Sequence, residues 1–416
     1  MHIFKAGVLG AGTMGAEIAL VIACAGGPAG GANGLPVLLK DVEQAMLDKG
    51  TEHIRAILRR RVAKGTMSEA DTERVLSLIT PALVYDQFND VDIVIEAVPE
   101  KIAIKKAVLR ELEAVVPETT IFASNTSALS ISELASATAR PTRVIGMHFF
   151  NPAHIMRLVE VVPGLETSAE TSEDVVGFAR SLGKTPVTVQ ECPGFLVNRL
   201  LFPYLHEATR CLQDGLATAD EIDALAVSFG MPMGPVALMD MLGLDVCLHI
   251  SNYLHEQYGP RMETPPLFGE LVAAGRLGQK VGKGFRPAVD DGPLATVAGP
   301  NAGDGRRAIE GGSSGYGIER LIYPLINEAV WSLQEHIAPA HDVDLAMVAG
   351  AGMTFRGSRK GPLAIADELG LDVVLGGLES LCAQHGDRFR PAWLLRTKVG
   401  AGHLGVKAGR GFHEYA

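Results

Sequence analysis

The sequence predicts an α/β domain built on a parallel sheet, followed by two tandem all-α domains that are copies of each other. Three observations predict this order: β-prone runs alternate with helical patterns in the first half, long helical patterns follow, and two segments of the second half repeat. A chain of 416 residues also exceeds the roughly 250 to 300 residues that one hydrophobic core serves. We expect domains at 1–190, 191–289 and 316–416, with a Gly/Ala/Pro-rich linker at 290–315.

The composition argues against several classes of protein. Lys and Arg number 37 against 48 Asp and Glu, and this net charge of -11 disfavours nucleic acid as a partner. The five cysteines are scattered without a C-x-x-C pair, which argues against disulfides and zinc. The N-terminus lacks the pattern of a signal peptide, and no apolar run reaches the roughly 18 residues of a membrane span. We expect a cytoplasmic protein that holds no metal.

The first residues have the pattern of a dinucleotide-binding turn. A β-prone run at 3–9 leads into "GAGTMG" and then into helical spacing. In this G-x-G-x-x-G pattern, the first glycine permits a tight turn, the second lets the backbone approach a pyrophosphate, and the third lets the helix pack closely on the strand. The helix N-terminus adds free N–H groups and the positive end of its dipole. The sequence therefore predicts a Rossmann-type domain whose turn binds the cofactor through Gly10, Gly12, Thr13, Met14 and Gly15.

An acidic residue after the second predicted strand favours NAD over NADP. Asp41 ends "LPVLLKD", where its carboxylate would accept hydrogen bonds from the ribose hydroxyls and repel a 2′-phosphate. It lies 26 residues beyond Gly15 because "GGPAGGANG" is inserted between them, and we interpret that insert as an enlarged loop. The alternative is a solvated acid at a strand end.

Polar residues follow the next predicted strands. We expect strands at 91–97 and ending at Ala123, with Ser130 as the N-cap of the following helix and Glu133 three residues on. Because ligands of a parallel sheet bind at the C-terminal ends of its strands, one crevice should collect the side chains that follow them. These side chains are Glu100, Asn125, Ser127 and His148.

The run "RVIGMHFFNPAHIMRLVEVV" places costly residues in predicted strands. A lone His148 would more often be a hydrogen-bonded core residue than a catalyst, but Glu160 follows twelve residues later, where an unpaired carboxylate carries a large desolvation cost. If the two pair, Glu160 fixes the imidazole tautomer and favours protonation, as a general base requires. A base beside a nicotinamide would take the proton of an alcohol as hydride leaves its carbon. The pattern predicts a metal-free alcohol dehydrogenase.

Several long motifs resemble those of a known family. The segments "GAGTMG", "IEAVPEK", "ASNTSALSISELA", "GMHFFNPAHIMRLVEVV" and "CPGFLVNRLLFPYLHEA" are similar to successive motifs of the L-3-hydroxyacyl-CoA dehydrogenases, in particular the dehydrogenase half of multifunctional fatty-acid β-oxidation enzymes. The resemblance runs from about residue 5 to the C-terminus. The enoyl-CoA hydratase half that precedes this region in those enzymes is absent from the sequence, and we expect another polypeptide to supply that step.

The resemblance implies roles for individual residues. His148 matches the catalytic base and Glu160 its carboxylate partner, while Ser127 and Asn198 match the residues that hold the 3-oxygen of the substrate. A hydroxyl and an amide could polarise that oxygen, although either residue alone would more commonly be a turn or cap residue. The resemblance also places Asn151 near the nicotinamide and the substrate, and Glu100, Lys105 and Asn125 on the cofactor side. It assigns no role to His154, which we expect to be structural.

A basic segment follows Asp41 on a predicted helix. "HIRAILRRRVAKG" could steer the phosphates of an acyl-CoA substrate in an otherwise acidic protein. A solvated helix face explains the same charges equally well. The basic residues are Arg55, Arg59, Arg60, Arg61 and Lys64.

The second half repeats itself. "RLLFPYLHEATRCLQDGLATADEIDAL" aligns with "RLIYPLINEAVWSLQEHIAPAHDVDLA", and "LGQKVGKGF" returns as "LGVKAGRGF". Glu319 stands where Asn198 aligns, so the second copy has lost that active-site position and is expected to be structural. Because the helical domain of single-copy relatives forms a dimer, the resemblance implies an internal pseudo-dimer, in a protein that is itself a monomer or a homodimer.

The leading hypothesis is NAD-dependent oxidation of an L-3-hydroxyacyl-CoA to the 3-ketoacyl-CoA, with a hydratase and a thiolase as partner activities. Two alternatives stay open. One is a crystallin-like dehydrogenase of free hydroxy acids, which dependence on CoA would distinguish. The other is a non-catalytic NAD-binding scaffold, which would have little reason to keep buried polar residues.

Overall fold

The computed structural model of the chain describes residues 2–25, 34–286 and 316–415. The chain divides into two compact units, Met1–Phe195 and Leu196–Ala416. The predicted linker at 290–315 lies outside the described residues, and so does all but the last glycine of the insert before Asp41.

The described part of the first unit combines one sheet with helices. Its strands are β1 (Ala6–Leu9), β2 (Val37–Lys40), β3 (Ile79–Ala82), β4 (Ile93–Glu96), β5 (Ile121–Ser124), β6 (Val144–Phe149), β7 (Leu158–Pro163) and β8 (Thr185–Thr188). Its α-helices are α1 (Thr13–Ala23), α2 (Gln44–Ala63), α3 (Glu69–Ser77), α4 (Ile102–Glu113), α5 (Ile131–Ala135) and α6 (Ala169–Ser181).

The sheet of the first unit has the strand order β3-β2-β1-β4-β5-β6-β7-β8 among the described residues. All neighbouring strands are parallel except β6 and β7, which are antiparallel. The predicted parallel sheet is present from β3 through β1 to β6, and the strand direction reverses between β6 and β7. The physical reason is the short connection at 150–157, because a parallel crossover needs a dozen residues or more. The predicted α/β Rossmann-type class, followed along the chain by a helical region, is confirmed.

The strands that carry the site are short and fully buried. All four residues of β1, β2, β4 and β5 are buried, as expected where helices cover both faces of a parallel sheet. The predicted strand at 91–97 is shorter in the structure, where β4 ends at Glu96. The predicted cap is confirmed, because the Ser130 hydroxyl accepts the N–H of Glu133 at the start of α5.

The second unit is helical apart from one two-stranded hairpin in its described part. Its first group of helices is α7 (Val197–Gln213), α8 (Ala219–Phe229), α9 (Pro235–Leu242), α10 (Leu244–Tyr258) and α11 (Pro266–Ala273). Its second group is α12 (Ile318–Gln334), α13 (Ala340–Gly350), α14 (Pro362–Leu369), α15 (Leu371–His385) and α16 (Trp393–Gly400). The hairpin, β9 (Thr354–Phe355) and β10 (Ser358–Arg359), follows α13.

Equivalent carboxylates organise the two groups of helices. Asp223 accepts two backbone N–H groups in the first turn of α9, at 2.8 and 3.0 Å. Asp344 does the same for α14, also at 2.8 and 3.0 Å. Each then binds a cation near the end of its copy, Arg286 on Asp223 at 2.6 Å and His413 on Asp344 at 2.7 Å. A carboxylate at a helix N-terminus caps free N–H groups and meets the positive end of the dipole.

Reciprocal ion pairs join the two groups. Helices α7 and α12 pack against each other, and Arg199 of α7 binds Glu328 of α12 at 2.7 Å. In return, Arg320 of α12 binds Glu207 of α7 at 3.0 Å. The arginines align with each other in the repeat, and so do the glutamates. Such an exchange is the signature of an isologous interface, in which each partner presents the same groups to the other.

Candidate active site

The glycine turn between β1 and α1 has the space that a dinucleotide needs. Gly10 has a φ of +95°, and a Cβ there would lie 2.6 Å from the carbonyl oxygen of Ala97. A Cβ on Gly15 would lie 1.8 Å from the Gly10 oxygen, whereas a Cβ on Gly12 would meet no atom within 4 Å. The start of α1, at Thr13 and Met14, has no side-chain cap. The open side of Gly12 and the uncapped N–H groups fit a pyrophosphate.

Asp41 lies directly after β2 and beside this turn. Its Oδ2 accepts the N–H of Ala11 at 2.7 Å, and its Oδ1 accepts the N–H of Val42 at the same distance. Oδ1 also accepts the N–H of Glu43 at 3.3 Å, whereas Oδ2 keeps a second lone pair that a ribose hydroxyl could use. The carboxylate is therefore fixed at the end of β2, next to the glycine turn.

His148 and Glu160 are direct partners across the antiparallel pair of β6 and β7. The imidazole Nδ1 lies 2.7 Å from Glu160 Oε2, and both side chains are buried. An N–H at Nδ1 that donates to a carboxylate leaves Nε2 without a proton and able to accept one. The arrangement can therefore support a general base whose cationic form is stabilised by its neighbour.

Aromatic rings enclose the imidazole. The ring centroid of Phe150 lies 4.6 Å from that of His148, and that of Phe195 lies 5.9 Å away. Phe195 has a φ of +48°, in the left-handed region that costs a bulky residue energy. Such backbone persists only where its surroundings impose it, and it is concentrated at functional sites. The sequence analysis missed both phenylalanines, since nothing in their spacing sets them apart from core residues.

A cluster of three charges, of which Lys105 and Glu96 are buried, supports the loop that follows β5. Lys105 Nζ binds Glu96 at 2.7 Å and Glu100 at 3.1 Å. Glu100 Oε1 in turn accepts the Thr126 hydroxyl at 2.6 Å and the Ser127 N–H at 2.9 Å. Burial raises the pKa of Glu100, but Lys105 and these hydrogen bonds outweigh it and hold the pKa below its usual range. The carboxylate therefore stays ionised and fixes Ser127.

Glu96 was not predicted, although the signal was available. It is a carboxylate in the buried run "DIVIEA", and its Oε2 accepts the hydroxyl of Ser124 at 2.7 Å. The desolvation argument that singled out Glu160 applies to it equally. Lys105 was predicted on the cofactor side, and in the structure its ammonium is buried between two carboxylates.

Ser127, Asn125 and Asn151 lie around the end of β6. Asn125 Oδ1 accepts the N–H of Phe149 at 2.8 Å, which ties the loop after β5 to the strand that carries His148. Within the described ranges, the Ser127 hydroxyl has no hydrogen-bond partner, and it remains available to a ligand. Asn151 is exposed two residues after β6. The first unit thus gathers the predicted residues of both its β5 and β6 ends.

Asn198 belongs to the second unit, where it lies half-buried in the first turn of α7. Glu319 holds the equivalent place in α12. This surface gives no further sign of a CoA site beyond the charges of the predicted basic segment. Four residues of that segment lie exposed on α2 or just after it: Arg55, Arg59, Arg60 and Lys64.

The described residues contain neither a membrane-spanning helix nor a cluster of side chains that could bind a metal. No helix among them is both long and apolar enough to cross a membrane. No group of three or more His, Cys, Asp or Glu side chains in the same ranges could hold a metal ion.

Comparison with known families accounts for both units. Residues 5–192 match the model of the 3-hydroxyacyl-CoA dehydrogenase NAD binding domain. Residues 194–287 and 315–415 each match the 3-hydroxyacyl-CoA dehydrogenase C-terminal domain. The second domain is therefore present twice.

Curated relatives and solved structures support the same family assignment. The chain is 37% identical over 409 residues to the fatty acid oxidation complex subunit alpha of Shewanella amazonensis, covering 96% of this chain and 55% of the relative. The chain thus spans about half the length of the curated relatives it matches. The structure of 3-hydroxybutyryl-CoA dehydrogenase from Escherichia coli K12 superposes with a TM-score of 0.85 at 31% identity, covering 96% of this chain and 99% of that one.

A shorter solved relative covers about two thirds of the chain. The (S)-3-hydroxybutyryl-CoA dehydrogenase of Ralstonia eutropha is 41% identical, with a TM-score of 0.64, and covers 68% of this chain and 98% of its own. Matches over both units, together with the pair of His148 and Glu160 in the same sheet as the glycine turn, give one conclusion. The chain belongs to the 3-hydroxyacyl-CoA dehydrogenase family, whose first domain binds NAD.

Proposed function

We propose that the protein catalyses NAD-dependent oxidation of an L-3-hydroxyacyl-CoA to the 3-ketoacyl-CoA, with His148 as the general base. The observation that carries this proposal is the buried contact of 2.7 Å between the imidazole Nδ1 and Glu160. A buried carboxylate and imidazole carry a desolvation cost in an apolar sheet, and a pair of this kind at the end of a strand can serve proton transfer. The family membership of both domains supports the substrate class.

The residues divide the work of oxidation. Nε2 of His148 accepts the proton of the 3-hydroxyl group while the C–O bond becomes a carbonyl. Glu160 stabilises the resulting imidazolium through Nδ1. The glycine turn and Asp41 would hold NAD, which when bound would supply the acceptor for the hydride that leaves C3. In the reverse direction His148 returns the proton to the oxygen.

Ser127 and Asn198 complete the proposed site. The Ser127 hydroxyl donates to the 3-oxygen, and its backbone is held by Glu100. The Asn198 amide is the second proposed donor, contributed by the helical domain. Donors fixed before the reaction stabilise developing charge better than water does, since they need no reorganisation. Asn125 and Lys105 are proposed to shape the cofactor side, and Asn151 is proposed to lie near both the nicotinamide and the substrate.

We propose further that the second unit is an internal pseudo-dimer of two helical domains. Its support is the reciprocal exchange of ion pairs, which extends to Arg261 on Glu328 at 3.5 Å and Arg388 on Glu207 at 2.6 Å. A hydratase that forms the 3-hydroxy thioester and a thiolase that cleaves the 3-keto product are the proposed partner activities. Light scattering tests the first point: an obligate dimer that buried the α7 surface of one chain against another chain would refute it.

The function is tested by following NADH absorbance as the purified protein reduces acetoacetyl-CoA, with free acetoacetate as the control substrate. We expect NADH consumption only with the thioester, and a His148→Gln variant should lose about 10² to 10⁴-fold in kcat, because a positioned base supplies that factor. Equal turnover of free acetoacetate would instead support a dehydrogenase of free hydroxy acids. NADH binding without turnover of either substrate would support the scaffold alternative.

A further inference from the structure

A buried carboxylate in the cofactor helix has no role in the mechanism above. Glu17 lies in α1, where every residue from Gly15 to Ala23 is buried, and it is itself only 2% exposed. An apolar side chain would pack there without a desolvation cost. Glu17 instead accepts hydrogen bonds from two histidines: His154 Nδ1 at 2.8 Å and His53 Nε2 at 3.0 Å.

The two histidines come from different places. His53 lies in α2 and is half-buried at the protein surface, whereas His154 lies in the connection at 150–157 between β6 and β7. The backbone N–H of His154 also points at Glu17 Oε2, at 3.3 Å. Burial raises the pKa of Glu17, but the hydrogen bonds from His154 and His53 outweigh it and keep the pKa below its usual range. An ionised carboxylate therefore holds the connection to α1.

A lysine holds the same connection from its other side. Lys184, just before β8, donates to the backbone oxygens of Ala153 and Met156, the latter at 2.7 Å. Burial lowers the pKa of Lys184 to about 8, while the charge of Glu17 opposes that effect. An anion and a cation therefore both bind the backbone of this short connection.

The position of this connection indicates why it is held. It begins with Phe150, whose ring packs on the His148 imidazole, and continues with the exposed Asn151. Because His148 must stand beside the carbon that gives up hydride, the connection borders the nicotinamide end of the cofactor. Helix α1, at the other end of the contact, begins at the pyrophosphate turn. The contact therefore joins the element that would border the nicotinamide ring to the helix that begins at the pyrophosphate turn.

We infer that His154, held by Glu17, is a positioning residue that sets the connection at 150–157 for binding of the nicotinamide ring. This inference rests on the proposed NAD-dependent function. Without the contact, the connection spends part of its time in other arrangements, and the apparent dissociation constant for NADH rises by the inverse of the competent fraction. Recognition of the adenosine diphosphate portion, which depends on α1 and Asp41, is unaffected.

The test compares NADH with ADP-ribose, which lacks the nicotinamide ring, by calorimetric titration of the purified full chain. We expect His154→Ala to raise the dissociation constant for NADH about tenfold, as when the competent fraction falls to about a tenth, and to leave that for ADP-ribose within about twofold. His154→Asn places an amide N–H near the position of Nδ1 and should restore NADH binding. His53→Ala is the matched control, since it removes the other partner of Glu17 and leaves the connection held.

Three results would overturn the inference: equal weakening of both ligands by His154→Ala, no weakening of NADH, or an identical effect of His53→Ala. An Asn variant as weak as the Ala variant would also do so. If His154→Ala does not fold, Lys184→Met releases the same connection without touching α1 and carries the same expectation for both ligands. A wild-type protein that binds NADH but does not reduce acetoacetyl-CoA would refute the proposed function alone, because these titrations need no turnover.

Discussion

Replacing Glu160 by Gln tests the chemistry of the central pair most directly. The substitution keeps the shape of a fully buried side chain and removes its charge. At 2.7 Å, an imidazolium and a carboxylate attract each other by about 6 kcal/mol with an effective dielectric constant of about 20. Desolvation of the buried ions offsets several kcal/mol of this. Removing one charge of a buried ion pair nevertheless costs about 3 to 5 kcal/mol, because the other charge stays buried without a partner. A loss of that size in the transition state corresponds to a fall of about 10² to 10⁴-fold in kcat.

The assay measures kcat for acetoacetyl-CoA together with the dissociation constant for NADH. We expect kcat to fall and NADH binding to stay unchanged, because Glu160 acts through His148 and lies on β7, four places along the sheet from the strand that leads into the glycine turn. Glu191→Gln is the matched control. This half-buried carboxylate of the same unit accepts hydrogen bonds from Ser130 and Ser132, so its loss changes the stability of α5 and leaves kcat intact.

A Glu160→Gln variant with kcat within about threefold of wild type would refute this reasoning, since a base that needs no charged partner gains nothing from a carboxylate. The same result in both variants would show that kcat responds to general destabilisation. Melting temperatures of the two variants separate these outcomes.

Two further predictions concern stability and cofactor binding. Gly12→Ala should fold normally and bind NADH at least about tenfold more weakly, because its Cβ enters the space left for the pyrophosphate, whereas Gly15→Ala should lower the melting temperature through its 1.8 Å clash with a carbonyl oxygen. The hydrogen bond to Asp344 raises the pKa of His413, against an opposing effect of burial. Its stabilisation is therefore complete below about pH 6.5 and is lost as the pH rises through the raised pKa. His413→Arg introduces the residue type that Arg286 has in the first copy. Between about pH 6 and pH 9 the melting temperature of this variant should fall less than that of the wild type, and an equal fall in both proteins would contradict this.

The central pair could be predicted from the sequence because its argument is energetic. A histidine and a glutamate in apolar runs each carry a large desolvation cost when unpaired and a smaller one when they bind each other. The structure places His148 opposite Glu160. Strand direction could not be predicted in the same way, since the alternation of apolar residues is the same in both directions. The length of the connection at 150–157 does indicate an antiparallel pair, because its eight residues are too few for a parallel crossover.

Long-range polar contacts were harder to predict from the sequence. The repeat identified Arg199 and Arg320 as equivalent, and likewise Glu207 and Glu328, but alignment does not say whether each arginine binds the glutamate of its own copy or of the other. That choice depends on how α7 and α12 pack. For Glu17 the sequence showed a carboxylate in an apolar helix, without indicating that its partner His154 lay 137 residues away.

The exchange of ion pairs between α7 and α12 has a consequence for how the protein tolerates dilution and mutation. In a dimer of separate chains, such an interface weakens as the protein is diluted, whereas joined copies meet at an effective concentration on the order of millimolar at any dilution. A substitution in a symmetric dimer also alters both halves of the interface at once. Here a change at Arg199 removes its bond to Glu328 and leaves the bond between Arg320 and Glu207 in place. One half of the interface can therefore vary while the other half keeps the copies together.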